Sequence, residues 1–195
     1  MVQVLAQKME QLFKEKGYVW YTEPYKLNII AVRNSSRVPN TFDDYLYLVY
    51  KINTSTWVLK QWVITTDPGS RSLKSPRTSK GTAILVEGQY VNTHKVDLHQ
   101  GKYKALCQRL GPVKVYRDSN RDNKLDLNPK TIVTGNFGIN IHKAGWDSTT
   151  VEDWSAGCMV FKRSRDFTDF ISIVNKSAKL KGNKFTITLI KDIDI

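Results

Sequence analysis

Two cysteines in 195 residues are too few for a disulfide scaffold, and neither belongs to a CxxC pair of the kind that binds zinc or does redox work. Histidine is sparse too, at positions 94, 99 and 142 only. No apolar run approaches the ~18 residues of a membrane span, so no transmembrane segment is expected. The opening MVQVLAQKMEQLFKEKG mixes acids with lysines and lacks a small-residue cleavage site. It does not read as a signal or transit peptide, and synthesis in the cytoplasm is expected. Negative charge is the remaining deficit: 18 Asp and Glu stand against 30 Lys and Arg, a formal net charge of +12. Such an excess suits a polyanionic partner, whether nucleic acid, an anionic cell-envelope polymer or an anionic membrane surface. Solubility alone is the plainer reading. A hydrophobic share of 41% with 11% aromatics excludes a disordered basic tail. The length suggests one domain.

What is present reads as mostly β, in the manner of a β-sandwich or barrel, with a helix near each end. Residues 2–16 carry Val4, Leu5, Met9, Leu12 and Phe13 on one helical face, with Gly17 placed to end the helix. YVWYT, YKLNIIAV, YLYLVYKI and TWVLKQWVITT are rich in β-branched and aromatic residues and predict successive strands. DPGSRSLKSPRTSK, residues 67–80, reads as a long loop. TAILVEGQYV, VKVYRD and TGNFGINIH predict further strands, and KYKALCQRL a short helix or strand. Phe167, Phe170, Ile171 and Val174 repeat at helical spacing, with Asp166 as a cap and Gly182 as a stop, before a closing strand KFTITLI. Residues 1–44 are expected to pack, as a helix and first strands, on a main unit of residues 45–195.

The stretch GINIHKAGWDSTTVEDWSAGCMVF concentrates the chemistry. His142 leaves a strand, and Cys158 follows a turn of small residues, Ser155-Ala156-Gly157. Small residues let the backbone turn tightly and leave N–H groups facing a substrate carbonyl. A thiol there, with an imidazole near, suits acyl transfer. Cys158 attacks the carbonyl, N–H groups near Gly157 and Cys158 hold the oxyanion, and His142 moves protons. The competing reading is a small core cysteine and an unrelated strand-end histidine.

The spacing His-x(12)-Ser-x-Gly-Cys resembles the signature of the L,D-transpeptidase catalytic domain, the YkuD-like family, over roughly residues 45–190 and most strongly over 135–161. The variant form, an IxIH strand followed by WSAGC, is similar to uncharacterised phage-associated members. The resemblance implies a β-sandwich-like fold, a Cys nucleophile, and peptidoglycan stem peptides as substrates; no cofactor is expected, calcium at 118–126 apart. The acyl group passes to an amine (cross-linking) or to water (L,D-carboxypeptidase or endopeptidase activity). It implies Cys158 as nucleophile, His142 as base, Gly157 as the turn glycine of the oxyanion site and Ser155 as the residue opening the motif. It also implies virion or tail proteins as partners, with delivery to the bacterial wall by a phage or at lysis. Two positions depart from the pattern. Ala156 stands where the family has His, and Val160 where it commonly has Asn or Arg, which bears on transpeptidation and on binding of a substrate carboxylate. A second reading keeps the fold without catalysis, as a cell-wall-binding or virion tail structural module.

Around this core, Trp146 and Trp154 flank the loop as groove-lining or packing residues. Arg71, Lys74, Arg77 and Lys80 form a basic substrate-side surface. His99, in DLHQGKY, reads as a hairpin residue before it reads as a second imidazole of the pocket. The resemblance allows a backbone carbonyl to orient His142, with Asp153 and Asp67 as side-chain candidates. Asp118, Asn120, Asp122 and Asp126 fall at calcium-loop spacing, but Pro129 takes the place of the bidentate acid, which favours a hairpin that caps itself. The basic residues are dispersed, with no helix-turn-helix, zinc finger or aromatic RNA-binding pattern, which argues against nucleic acid as the partner.

Overall fold

In a computed structural model, which describes residues 2–194, the alternating apolar stretches become eleven strands. These are β1 (Asn28–Arg33), β2 (Asp44–Lys51), β3 (Trp57–Thr65), β4 (Thr82–Leu85), β5 (Gly88–His99), β6 (Tyr103–Gln108), β7 (Val113–Asp118), β8 (Val133–Gly135), β9 (Ile141–Lys143), β10 (Met159–Phe161) and β11 (Phe185–Lys191). Eight close into a barrel in the order β1-β11-β5-β6-β9-β10-β3-β2, and β4-β7-β8 form a smaller sheet. Two pairs, β1 with β11 and β9 with β10, are parallel. Three helices accompany them: α1 (Val2–Glu15), α2 (Ser70–Lys74) and α3 (Ser164–Lys181). No helix among the described residues is long and apolar enough to cross a membrane.

Strand β1 shows how the core is divided. All six of its residues are buried. Successive side chains point to opposite faces of a strand. Ile29 and Ala31 accordingly join the main core, while Ile30 and Val32 pack under α1 with Ala6, Met9 and Phe13. Each such fully buried side chain of Ile or Phe size contributes about 1.5–3 kcal/mol. The helical face of α1 is shifted from the expected one: Val4 is exposed and Ala6 is buried. Gly17, at φ +69°, ends the turn as expected. Helix α3 presses Phe167, Phe170 and Val174 into the main core beside Trp62 and Phe161. Its cap is the backbone of Arg163 rather than Asp166, which lies in the first turn.

Other expectations are corrected in detail. YVWYT pairs with no strand. Its backbone is satisfied by side-chain amides: Gln89 bonds Val19 through both its oxygen and its nitrogen, and Asn28 does the same for Tyr21. KYKALCQRL contains strand β6. The loop 67–80 carries α2, whose Leu73 is buried beneath Ile84 and Leu125. TGNFGINIH is a strand only at its ends, β8 and the start of β9. The irregular residues 136–140 between them build the site described below.

A buried ion cluster ties β1, β2, β3 and β4 together. Arg33, 2% exposed, donates from Nη1 to Leu85 O (2.9 Å) and Glu87 Oε1 (3.0 Å), and its Nε lies 3.0 Å from both Thr66 Oγ1 and Asp67 Oδ1. Asp44 accepts from Asn34 N, Thr66 N and Thr66 Oγ1. Desolvation and the neighbouring Asp67 carboxylate nevertheless raise its pKa to about 7. The cluster anchors the start of the 67–80 loop. Gly69 then donates to Ser155 O (3.0 Å), joining that loop to the cysteine turn.

Candidate active site

Strands β9 and β10 run parallel with Val160 opposite His142 and Met159 opposite Ile141. Ile141 and Met159 face the main core. Alternation along both strands therefore puts Asn140, His142, Cys158 and Val160 on the other face. The candidate nucleophile and base share one side of the sheet. The turn before Cys158 is held by Ser155, which donates from Oγ to Cys158 O (2.8 Å) and accepts Gly157 N–H (3.1 Å). Ser155 is thus the clamp of the turn. The Gly157 N–H is occupied by that clamp, whereas the Cys158 N–H is engaged by none of these bonds and stays available for an oxyanion.

Gly157 has φ +120°, and a Cβ there would run into the Ala83 carbonyl oxygen on β4. Both the backbone conformation and the close approach require glycine. A Gly157→Ala variant is expected to lose about 2–4 kcal/mol of stability. The turn should shift as it does so, which thermal unfolding together with the rate of Cys158 alkylation checks.

The thiol donates to Gly138 O (3.4 Å) and receives the Asn140 N–H (3.5 Å); no hydrogen bond joins it to an imidazole. Burial pushes its pKa up to about 11, against the opposing effects of the Asn140 N–H and the nearby Arg77 charge. His142 donates from Nδ1 to Lys143 O (2.9 Å). A carbonyl only accepts, so Nδ1 carries the proton and the Nε2 lone pair is free to take another. A backbone carbonyl orients this histidine, in place of Asp153 or Asp67. Asp153 is paired with Arg71 (2.7 Å), and Asp67 belongs to the Arg33 cluster. Burial, with His99 adding to it, lowers the His142 pKa to about 4. At neutral pH the thiol and the imidazole are both uncharged, so attack and proton transfer have to be coupled.

Two cavities meet at His99 and Gln100. The first, about 460 Å³, has Cys158, Asn140, Phe137, Thr82, Arg77 and Arg117 in its wall. The second, about 340 Å³, is lined by His142, Tyr103, Lys102, Lys143, Asp153 and Trp154. Of the four loop cations, only Arg77 reaches the cysteine cavity; Arg71 is held by Asp153, and Lys74 and Lys80 line neither. Arg117 on β7 joins it, stacked over Phe137 (4.6 Å) and donating to Gly81 O (3.1 Å). Trp154 borders the histidine cavity, and Trp146, 89% exposed, borders neither.

Residues that the motif did not reveal hold the site in place. Gln108, buried at the end of β6, accepts Phe137 N–H and Ile139 N–H at Oε1, donates from Nε2 to Gly135 O, and donates its own backbone N–H to Asn140 Oδ1. His94 donates from Nε2 to Ile139 O (2.7 Å). His99 closes the β5–β6 hairpin, as expected, but is buried at 7% exposure where a surface position was the other expectation, and it stacks on His142 with centroids 4.1 Å apart. All three histidines of the chain therefore converge here, and their scarcity was the one sequence signal that could have grouped them.

In the segment 118–126 the side chains satisfy their own loop. Asp118 accepts Asp126 N–H, Asn120 Nδ2 donates to Asp126 Oδ2, and Asp122 accepts Lys124 N–H. Among the described residues no group of three or more His, Cys, Asp or Glu side chains is arranged to hold a metal ion. Compared with known proteins, the chain matches no family model, no curated protein and no solved structure.

Proposed function

We propose that the protein is a cysteine acyl-transfer enzyme of L,D-transpeptidase type, with a YkuD-like barrel as scaffold and peptidoglycan stem peptides as substrates. The observation that carries this reading is the placement of Cys158 and His142 on one face of β9 and β10, with His142 Nε2 free and an unengaged Cys158 N–H beside the thiol. In the reaction, Cys158 Sγ attacks the scissile carbonyl as its proton passes to His142 Nε2. The Cys158 N–H stabilises the oxyanion. The amine leaves with the proton from His142, and the thioester is then resolved by water or a second amine. A phage-delivered wall enzyme, partnered with virion proteins, accords with the resemblance, and the net charge of +12 suits an anionic envelope. The test is incubation with purified stem peptides and with a reactive β-lactam, read by mass spectrometry. Peptide turnover and a covalent adduct on Cys158 are expected; absence of both rejects the reading.

The second reading, a wall-binding or virion structural module, draws on the neutral thiol and on Ala156 in place of a histidine. Both readings use the cationic wall at Arg77. Arg77→Gln should weaken binding of wall fragments roughly two- to tenfold at low salt, with the difference fading at high salt. Lys74→Gln and Lys80→Gln should change little, and sedimentation with purified cell walls checks the order.

A further inference from the structure

We propose that His99 is a second working imidazole of this site, a positioning residue that keeps His142 in the uncharged form able to accept the Cys158 proton. The inference rests on the acyl-transfer reading for its purpose. Its geometry stands apart from that reading. Asn140 Oδ1 accepts the Gln108 backbone N–H (2.9 Å), which fixes the orientation of the amide. The atom 3.1 Å from His99 Nδ1 is therefore the Asn140 Nδ2 donor. His99 Nδ1 must accept, so its single proton sits on Nε2. A second proton on His99 would set N–H against N–H at Asn140. The ring is thus held neutral, and it covers one face of His142 at 4.1 Å with 21° between the planes.

The neighbours reinforce this. Tyr103 on β6 faces His99 at 5.6 Å between centroids, and Lys143 Nζ lies 5.2 Å from the Tyr103 ring. Lys102 lines the same cavity, and the charges of Lys102 and of Arg109, itself paired with Asp97 (3.3 Å), act on His99. Asp153 is the one acid of that cavity, and it is committed to Arg71. Burial and the stacked ring oppose a charge on His142, against the Lys143 carbonyl that favours it. His142 then stays a usable base in acid well below the range of an ordinary histidine. The imidazole that the family motif would place at Ala156 is supplied here by β5, from another part of the chain.

The experiment is a nitrogen-resolved NMR titration of His142 in the full chain, for the wild type, His99→Ala and His99→Phe. The pH profile of Cys158 alkylation by iodoacetamide is followed on the same samples. In the wild type, His142 should titrate well below pH 6. In His99→Ala its midpoint should rise by at least one pH unit, a tenfold gain in proton affinity, and the acid limb of alkylation should move with it. An unmoved midpoint in a folded His99→Ala variant overturns the proposal. If that variant does not fold, His99→Phe decides. Phe keeps a flat ring but leaves the Asn140 donor without the acceptor that holds the ring over His142, so a smaller rise supports the proposal and no rise overturns it. Peptidoglycan turnover is not the readout, so a failed enzyme reading and a failed histidine pairing give different results.

Discussion

Cys158→Ala is expected to abolish turnover of stem peptides, by about four orders of magnitude or more, and to abolish the covalent β-lactam adduct. The fold should barely register the change. Cys158 lies in the cavity wall, and its Sγ makes two long contacts, to Gly138 O and from Asn140 N–H. Removing one sulfur atom there costs about 1 kcal/mol or less. The turn is kept by Ser155 and Gly157, neither of which depends on the thiol. Mass spectrometry of digested peptidoglycan, with thermal unfolding of the same samples, separates the two effects. Turnover that survives in the variant would assign the chemistry elsewhere. The other cysteine offers no substitute: Cys107 is wholly buried in the core, with its thiol pKa raised by burial.

Arg33→Met should produce the largest loss of stability, about 3–5 kcal/mol at neutral pH. Methionine roughly fills the volume of the aliphatic stem but supplies no charge. Asp44 and Asp67 would be left buried without their cation, beside a less buried Glu87. The sign of the pH dependence follows from the direction of the shifts. Burial already holds the Asp44 pKa at about 7, and that of Asp67 is raised as well. Without Arg33 these carboxyls become harder still to ionise. A carboxyl whose folded pKa is raised contributes stability at low pH and loses it as pH rises through that value. The gap between variant and wild type should therefore widen as pH rises above about 7, where the wild type ionises Asp44 beside its cation and the variant does not. Denaturant unfolding at several pH values measures it. A constant gap would mean that the loss is one of packing alone.

Much of the candidate site was legible because the residues that build it are close in the chain. The turn Ser155-Ala156-Gly157-Cys158 is contiguous, and its glycine is needed for a φ and a close approach that the small-residue run already suggested. His142 was legible from its strand-end position ahead of that turn. The partners of these residues were not. His99, His94 and Gln108 come from β5 and β6, and they act through hydrogen bonds to an irregular segment, 136–140, that reads as strand in the sequence. A period-2 pattern is blind to a backbone whose N–H and C=O groups are claimed by side chains. The same blindness explains YVWYT, where Asn28 and Gln89 take the place of a neighbouring strand.

By itself the amino-acid sequence determined the chain's mostly β character, the helices near its two ends, and the identity of one candidate nucleophile and base. These follow from short-range periodicity and from residue types that few roles demand together. Only the tertiary structure decided that the strands close into a barrel, because closure depends on β1 pairing with β11 from the far end of the chain. It also decided which cation meets the thiol. In the sequence Arg71, Lys74, Arg77 and Lys80 are equivalent, but helix α2 and the Asp153 pair turn them apart and bring Arg77, of these four, to the cysteine cavity beside Arg117. The stacking of His99 on His142 belongs to the same class. Charge and proton affinity depend on burial and on neighbours in space, and neither is a property of a residue's place in a string.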